Sequence, residues 1–347
     1  MPTEIVIGPQ AFLRNEYVAS LTDQTILIAG AGGYLGTALL SSLYSIRCRI
    51  VAVVHHRICL PPPADCDADI TVRHVDLSQS SIWLDVLRET RPDVIINLAA
   101  YEHHRGSEHA PAQDLAVNTA TVLELLDACR ELELKPRIVQ ASSANIVGCP
   151  RSPLVNEDTE DHPLTLYAIN KLTAEWYLRY YAETFAIPSV SLRFGNIYGP
   201  LPSRDAELES RVVLNKIVRR ALDGHPVFLY RNQDCVRDFL YVEDAVRAIC
   251  AGAAIKKKTF CGKYVVGSGE GRSLFEIVNE IARQVENLGR PPVEILFDAD
   301  AGLEPIEWRE FVADYTQLRL ASGWDPQIKL REGIELTLEA FSGGESH

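Results

Sequence analysis

Residues 25–43 read TILIAGAGGYLGTALLSSL. The apolar run from Thr25 to Ala29 has the length of a short buried strand, and Gly30, Gly33 and Gly36 open an apolar stretch with helical spacing directly after it. Glycines at these places let the backbone turn tightly and approach a pyrophosphate. The anion then rests against the helix N-terminus, where N–H groups and the dipole favour negative charge. Strand, glycine turn and helix together predict the first unit of a dinucleotide-binding sheet.

The same alternation continues outward from this unit. A second strand, Arg49 to Val54, ends in His55, His56 and Arg57, where an Asp or Glu would accept both ribose hydroxyls of NAD. A cationic side chain suits a 2′-phosphate, so NADP(H) is favoured and NAD(H) is the alternative. The third strand, ITVRHVDL, ends in Asp76 and Leu77, a place near the adenine in such folds. PDVIINLAA is the fourth; a loop from Tyr101 to Ala112 and a helix from Asn118 to Arg130 follow. RIVQASSANIVG ends in Ser142 and Ser143, and SVSLRF leads to Gly195, Asn196 and Tyr198. Strands alternating with helices predict an α/β fold, a doubly wound parallel Rossmann sheet with its ligands at the carboxyl ends of the strands.

From Pro200 the pattern changes to a helix (Arg211 to Leu222), a short strand (Val227 to Tyr230) and a loop entering a helix in VRDFLYVEDAVRAICAGA. KYVVGSGEGRSLFEIVNEIARQV then reads as strand, glycine turn and helix, with Ser273 near the cap. Lys256 to Lys258 complement the end of the preceding helix. The expected division is an extension at 1–23, a cofactor-binding domain at 24–196 with 236–255 returning to it, a smaller discontinuous substrate lobe at 197–235 and 256–341, and a tail at 342–347.

Leu164 to Phe185, LTLYAINKLTAEWYLRYYAETF, predicts a helix of about five turns with Thr165 as N-cap. Tyr167 and Lys171 share a face of it. A buried ammonium beside a phenol stabilises the phenolate and draws its pKa from about 10 toward the working range, so the phenol can exchange a proton with an alcohol or ketone.

The 347 residues carry a net charge of -13, which argues against a nucleic-acid or anionic-membrane surface. No stretch approaches the eighteen apolar residues of a membrane span, and MPTEIVIGPQ has no secretory pattern. The eight cysteines contain no CxxC and read as reduced thiols of a cytoplasmic protein. Adjacent histidines (His55 with His56, His103 with His104) point opposite ways on an extended chain, and no metal site is expected.

Taken together, GAGGYLG, NLAA, SSANIVG, YAINK, RFGNIYGP, VRDFLYVEDA and ADYTQLRLASGWDP resemble the motifs of the extended short-chain dehydrogenases/reductases, in their nucleotide-sugar epimerase, dehydratase and reductase branch. The resemblance implies a catalytic hydroxyl at Ser143, a proton donor or acceptor at Tyr167, a ribose-holding Lys171 and a helix-shaping Asn118. It implies cofactor contacts at Gly30, Gly33, Tyr34, Leu35, Gly36, Asp76, Leu77, Leu98, Ala99 and Ala100. Asn196 and Arg237 match positions that grip the diphosphate of a nucleotide-sugar substrate. Ala144 and Asn145 stand where dehydratases of the branch carry an Asp and Glu pair, which speaks against dehydration. Arg309 lies five residues before Asp314, closer than in many epimerases, and EWREFVAD is more like deoxysugar 4-ketoreductases. The resemblance therefore implies NADPH-dependent reduction of a 4-keto sugar nucleotide by Ser143, Tyr167 and Lys171. A 4-epimerase with bound NAD is the runner-up and a non-catalytic nucleotide-binding protein the third reading. The family's habit of pairing through the Tyr167 helix and the helix after Asn118 implies a homodimer.

Overall fold

Seven strands form the central sheet of the computed structural model, which describes residues 17–55, 62–79, 82–101, 104–203, 205–255, 261–299 and 302–343. They are β1 (Thr25–Ala29), β2 (Arg49–Val54), β3 (Asp69–His74), β4 (Val94–Asn97), β5 (Arg137–Ser143), β6 (Ser189–Phe194) and β7 (Cys261–Val266). Their order is β7-β6-β5-β4-β1-β2-β3, with every neighbouring pair parallel. The chain winds one way from β1 and the other way from β4. A crevice opens where two such directions part, at the carboxyl ends of the strands.

Helices cover both faces, so alternate side chains of the inner strands enter two different cores. Ile26, Ile28, Ile50, Ala52, Val94 and Ile96 pack with Leu39, Leu40 and Leu43 of α1 (Tyr34–Leu43). Leu27, Ala29, Val51, Val53 and Ile95 point the other way, toward Leu125, Leu126 and Cys129 of α2 (Thr121–Glu131) and Ala174 and Leu178 of α3 (Leu166–Phe185). α3 starts as the sequence predicts: Thr165 Oγ1 accepts from the N–H of Ala168 at 3.2 Å. α4 (Val242–Ala254) is buried over nearly its whole length and shares the core of α1.

Outside the main sheet lie a three-stranded sheet (residues 196–198, 236–241 and 271–273), a parallel pair (227–230 with 295–298), and α5 (Leu274–Asn287), whose Ser273 and Glu276 form a reciprocal capping box. Trp324 is fully buried, and its indole N–H donates to the Asp244 carbonyl at 3.1 Å, tying the C-terminal stretch to α4.

Three sequence expectations change. β7, drawn from the stretch assigned to the lobe, pairs with β6 as the seventh strand of the main sheet. KYVV reads the same at either place, because partner choice for a parallel strand is set far away in sequence. The loop at 101–112 instead contains helices at His104–His109 and Pro111–Leu115. Asn118 lies not in the helix proper but in a π-turn, Ala116–Ala120, that widens the entry to α2. Residues 1–16, His56, Arg57, His103, Lys256 to Lys258 and 344–347 lie outside the described residues.

Candidate active site

The carboxyl ends of β1 to β4 rim a cleft of about 680 Å³ lined by Gly30, Gly33, His55, Asp76, Leu77, Leu98, Ala99 and Ala100, with Glu207, Leu208 and Arg211 facing them from the lobe. Gly30 has φ +77°, and a Cβ there would stand 2.8 Å from the Ala99 nitrogen. A Cβ on Gly36 would press into the Gly30 carbonyl oxygen, well inside contact distance. Only glycine lets this turn close on itself and leave the start of α1, which has no side-chain cap, facing the cleft. The cradle fits a dinucleotide pyrophosphate. Tyr34, in the same motif, does not line the cleft; its hydroxyl donates to the Gly199 carbonyl at 2.6 Å and fastens the turn to the lobe. Leu35 packs against the core, and Gly36 supports the turn from behind.

At the end of β2, His55 Nε2 lies 3.8 Å from an Asp76 carboxylate oxygen. The Ser78 hydroxyl and N–H both donate to Asp76 and hold its carboxyl below the usual range. A 2′-phosphate placed beside His55 would meet this negative charge.

Ser143 ends β5, and its Oγ accepts from the Asn145 N–H at 3.1 Å. Tyr167 sits in the first turn of α3, with Lys171 one turn on and its Nζ 5.6 Å from the phenol ring centre. Lys171 donates to the Ala141 carbonyl of β5 at 3.2 Å. The strand end and the helix start thus converge on one spot, and none of the three residues is among those lining the cleft above. Burial, reinforced by the Asp114 carboxylate, pushes the Tyr167 phenol up to about 12, while a hydrogen bond with Ser143 pulls the other way. Lys171 is pushed down to about 8 by burial, against the opposing charges of Asp114 and Glu175. The expected depression of the phenol is therefore corrected: desolvation and the Asp114 carboxylate outweigh the Ser143 hydrogen bond here.

Asn118 donates its amide to Asp114 and, at 3.3 Å, to the Tyr101 carbonyl, joining the π-turn to the segment after β4. Reading the sequence passed over Asp114, Asn170 and Glu175. Glu175 follows Lys171 by four residues and could have been placed on its face; Asp114 carried no signal tying it to α3.

On the lobe side, Arg237 donates to the Glu307 carbonyl and Arg309 to the side-chain oxygen of Asn145, two residues beyond Ser143. Both guanidinium groups are buried. Burial first, and then the charge of Arg237, brings Arg309 down to about 10. Two like charges buried together make this spot attractive to an anion, although Glu307 and Glu310 act on Arg237 from nearby. Asn196 lies alongside, its amide donating to the Asp238 carbonyl at 3.1 Å.

The model of the NAD dependent epimerase/dehydratase family matches residues 26–267. The chain belongs to this family. Its relatives are nucleotide-sugar epimerases and dehydratases, so the chain is an enzyme of the extended short-chain dehydrogenase/reductase kind. It is 30% identical over 244 residues to the uncharacterized UDP-glucose epimerase YtcB of Bacillus subtilis (strain 168), covering 70% of this chain and 72% of that protein. Among solved structures, it is similar to the UDP-glucose 4-epimerase of Thermus thermophilus in complex with NAD, at 30% identity and a TM-score of 0.75 over 92% of this chain and 99% of that one. MoeE5, in complex with UDP-glucuronic acid and NAD, matches at 26% identity and a TM-score of 0.77 over 92% and 99% of the two chains. These likenesses favour the epimerase runner-up over the ketoreductase reading, and both of those structures carry NAD. Among the described residues no helix is long and apolar enough to cross a membrane, and no group of three or more His, Cys, Asp or Glu is placed to hold a metal ion.

Proposed function

We propose that this enzyme is a UDP-sugar 4-epimerase that works with a retained NAD(H). The reading is carried by the meeting of Ser143, Tyr167 and Lys171 at the end of β5, with Ala144 and Asn145 following in place of carboxylates. Family relatives named as 4-epimerases support it, and Asp76 facing His55 supports NAD over NADP.

The cradle of Gly30, Gly33 and Gly36 would hold the cofactor's pyrophosphate, and Lys171 its nicotinamide ribose; bound there, the cofactor supplies a hydride acceptor and donor. Ser143 holds the sugar C4 oxygen by hydrogen bonding. Tyr167 takes the proton of that hydroxyl as C4 is oxidised, and returns it to the oxygen when C4 is reduced on its opposite face. Lys171 limits the cost of charge on the phenol during the exchange. Arg237 and Asn196 grip the diphosphate through the ring's reversal.

The test incubates the purified enzyme with UDP-glucose, UDP-glucuronic acid and UDP-N-acetylglucosamine. Interconversion of 4-epimers without consumption of added NAD(P)H is expected, with NAD released on denaturation. Stoichiometric NADPH oxidation by a 4-keto sugar nucleotide, without epimer formation, would restore the ketoreductase.

Residues 24–196 with 236–255 and β7 form the proposed cofactor-binding half, and the rest of 197–341 the substrate half. A homodimer is also proposed. Ile169, Trp176 and Tyr180 lie 45%, 57% and 55% exposed along one stripe of α3, which suits a helix face packed on a second copy.

A further inference from the structure

We propose that Glu175 is a positioning residue for this site: locked by Arg193 and bonded to Ser142, it sets the register of α3 on β5 and with it the meeting of Tyr167 and Lys171 with Ser143. Three consecutive residues at the end of β5 are each joined to α3. The Ala141 carbonyl accepts from Lys171 at 3.2 Å, the Ser142 hydroxyl donates to a Glu175 carboxylate oxygen at 2.5 Å, and Ser143 is hydrogen-bonded to Tyr167. The first and last of these bonds engage groups that the proposed reaction uses. The bond between Ser142 and Glu175 is left to hold strand and helix together, one turn of α3 beyond Lys171.

Glu175 is itself held in place. Arg193 of β6, which pairs with Ser142 across the sheet, grips both Glu175 oxygens, its Nη2 2.6 Å from one and its Nε 3.0 Å from the other. The same guanidinium reaches Asp161, in the segment leading into α3, at 2.6 and 3.1 Å. Arg193 is 1% exposed and Glu175 8%, and Ser142 is buried with them. A forked guanidinium shared between two carboxylates tolerates little change of angle. Buried groups of this kind add little net stability, yet breaking one strands its partner, so what they fix is geometry. Sliding α3 by one residue would carry its side chains about 1.5 Å along the helix axis and part Glu175 from both Ser142 and Arg193. A misplacement of about 1 Å between reacting groups costs about a hundredfold in rate.

What the register serves rests on the epimerase reading, so the test pairs a kinetic readout with one that needs no turnover. Ser142→Ala deletes the bond between strand and helix and leaves Arg193 on Glu175. In the epimerisation of UDP-glucose by the full-length enzyme, kcat is expected to fall about tenfold or more. KM is expected to change little, and Ser142→Thr, which keeps the hydroxyl, to restore kcat. A loss of thermal stability with kcat unchanged would make the bond merely structural and overturn the proposal. The second readout is the carbon-13 resonance of the hydroxyl-bearing ring carbon of Tyr167, in protein labelled at that carbon of its tyrosines and assigned by the signal lost in Tyr167→Phe. It is expected to shift in Ser142→Ala and to return in Ser142→Thr. A resonance that stays in place in Ser142→Ala overturns the proposal whatever the activity. Where Ser142→Ala does not fold, Ser142→Cys, similar in shape and only a weak donor, takes its place with the same expectations. Should the wild type turn over no UDP-sugar, the functional reading fails while the resonance still decides the register.

Discussion

At the scale of single residues, the proposed chemistry depends on the Tyr167 phenol and the Lys171 amine, whose burial works against their charged forms. Tyr167→Phe removes the transferable proton and leaves the ring, so kcat is expected to fall by about 10²- to 10⁴-fold with the fold intact, measured by epimer ratio and circular dichroism. Lys171, lowered to about 8 from 10.5, also leaves a mark on stability. Between those two pH values the unfolded chain binds the proton and the folded one does not, so stability rises with pH across the window. Below about pH 8 both states are charged, and the cost of burying the ammonium is felt in full. Denaturant titrations from pH 8 to 10 are expected to show a more positive slope for the wild type than for Lys171→Arg, whose guanidinium stays charged throughout; equal slopes would contradict this. Tyr167 and Lys171 were legible in the sequence because four-residue spacing is local information. Asp114 was not, since its partners Ser107, Asn118 and Asn170 come from three separate segments. The direction of the phenol's shift was misread for the same reason: spacing gives proximity and leaves out desolvation.

Among elements, the glycine turn and the helix caps carry most of what could be read in advance. The strand, turn and helix of 25–43 follow from residue order, and the Thr165 and Ser273 caps follow from residue type. Gly36→Ala would force its Cβ against the Gly30 carbonyl, so a loss of about 1–3 kcal/mol and weaker retention of NAD are expected together, by chemical denaturation and by cofactor content. Ser273→Ala removes one partner of the α5 capping box and is expected to cost about 1 kcal/mol with cofactor content unchanged. The helices at 104–109 and 111–115 escaped notice because each is a turn or two long, too short for a periodic pattern to build up.

For the whole molecule, the fold class was legible from seven ordered motifs, whereas the lobe's boundary was not, because it depends on which sheet a late strand joins. The proposed dimer belongs to this scale. Trp176→Glu places a charge in the apolar stripe of α3 and is expected to turn a dimer into a monomer in sedimentation, with the far-ultraviolet spectrum unchanged. A wild type that sediments as a monomer at micromolar concentration would remove the premise. The last consequence comes from β7. Its strand is supplied by the chain only after residues 197–255 have been made, yet it closes the flank of β6. A fragment released near residue 235 would carry an unsatisfied row of peptide groups along that flank, ready to recruit a neighbour's strand. Synthesis of this protein thus has a vulnerable interval that ends only when residues 261–266 emerge.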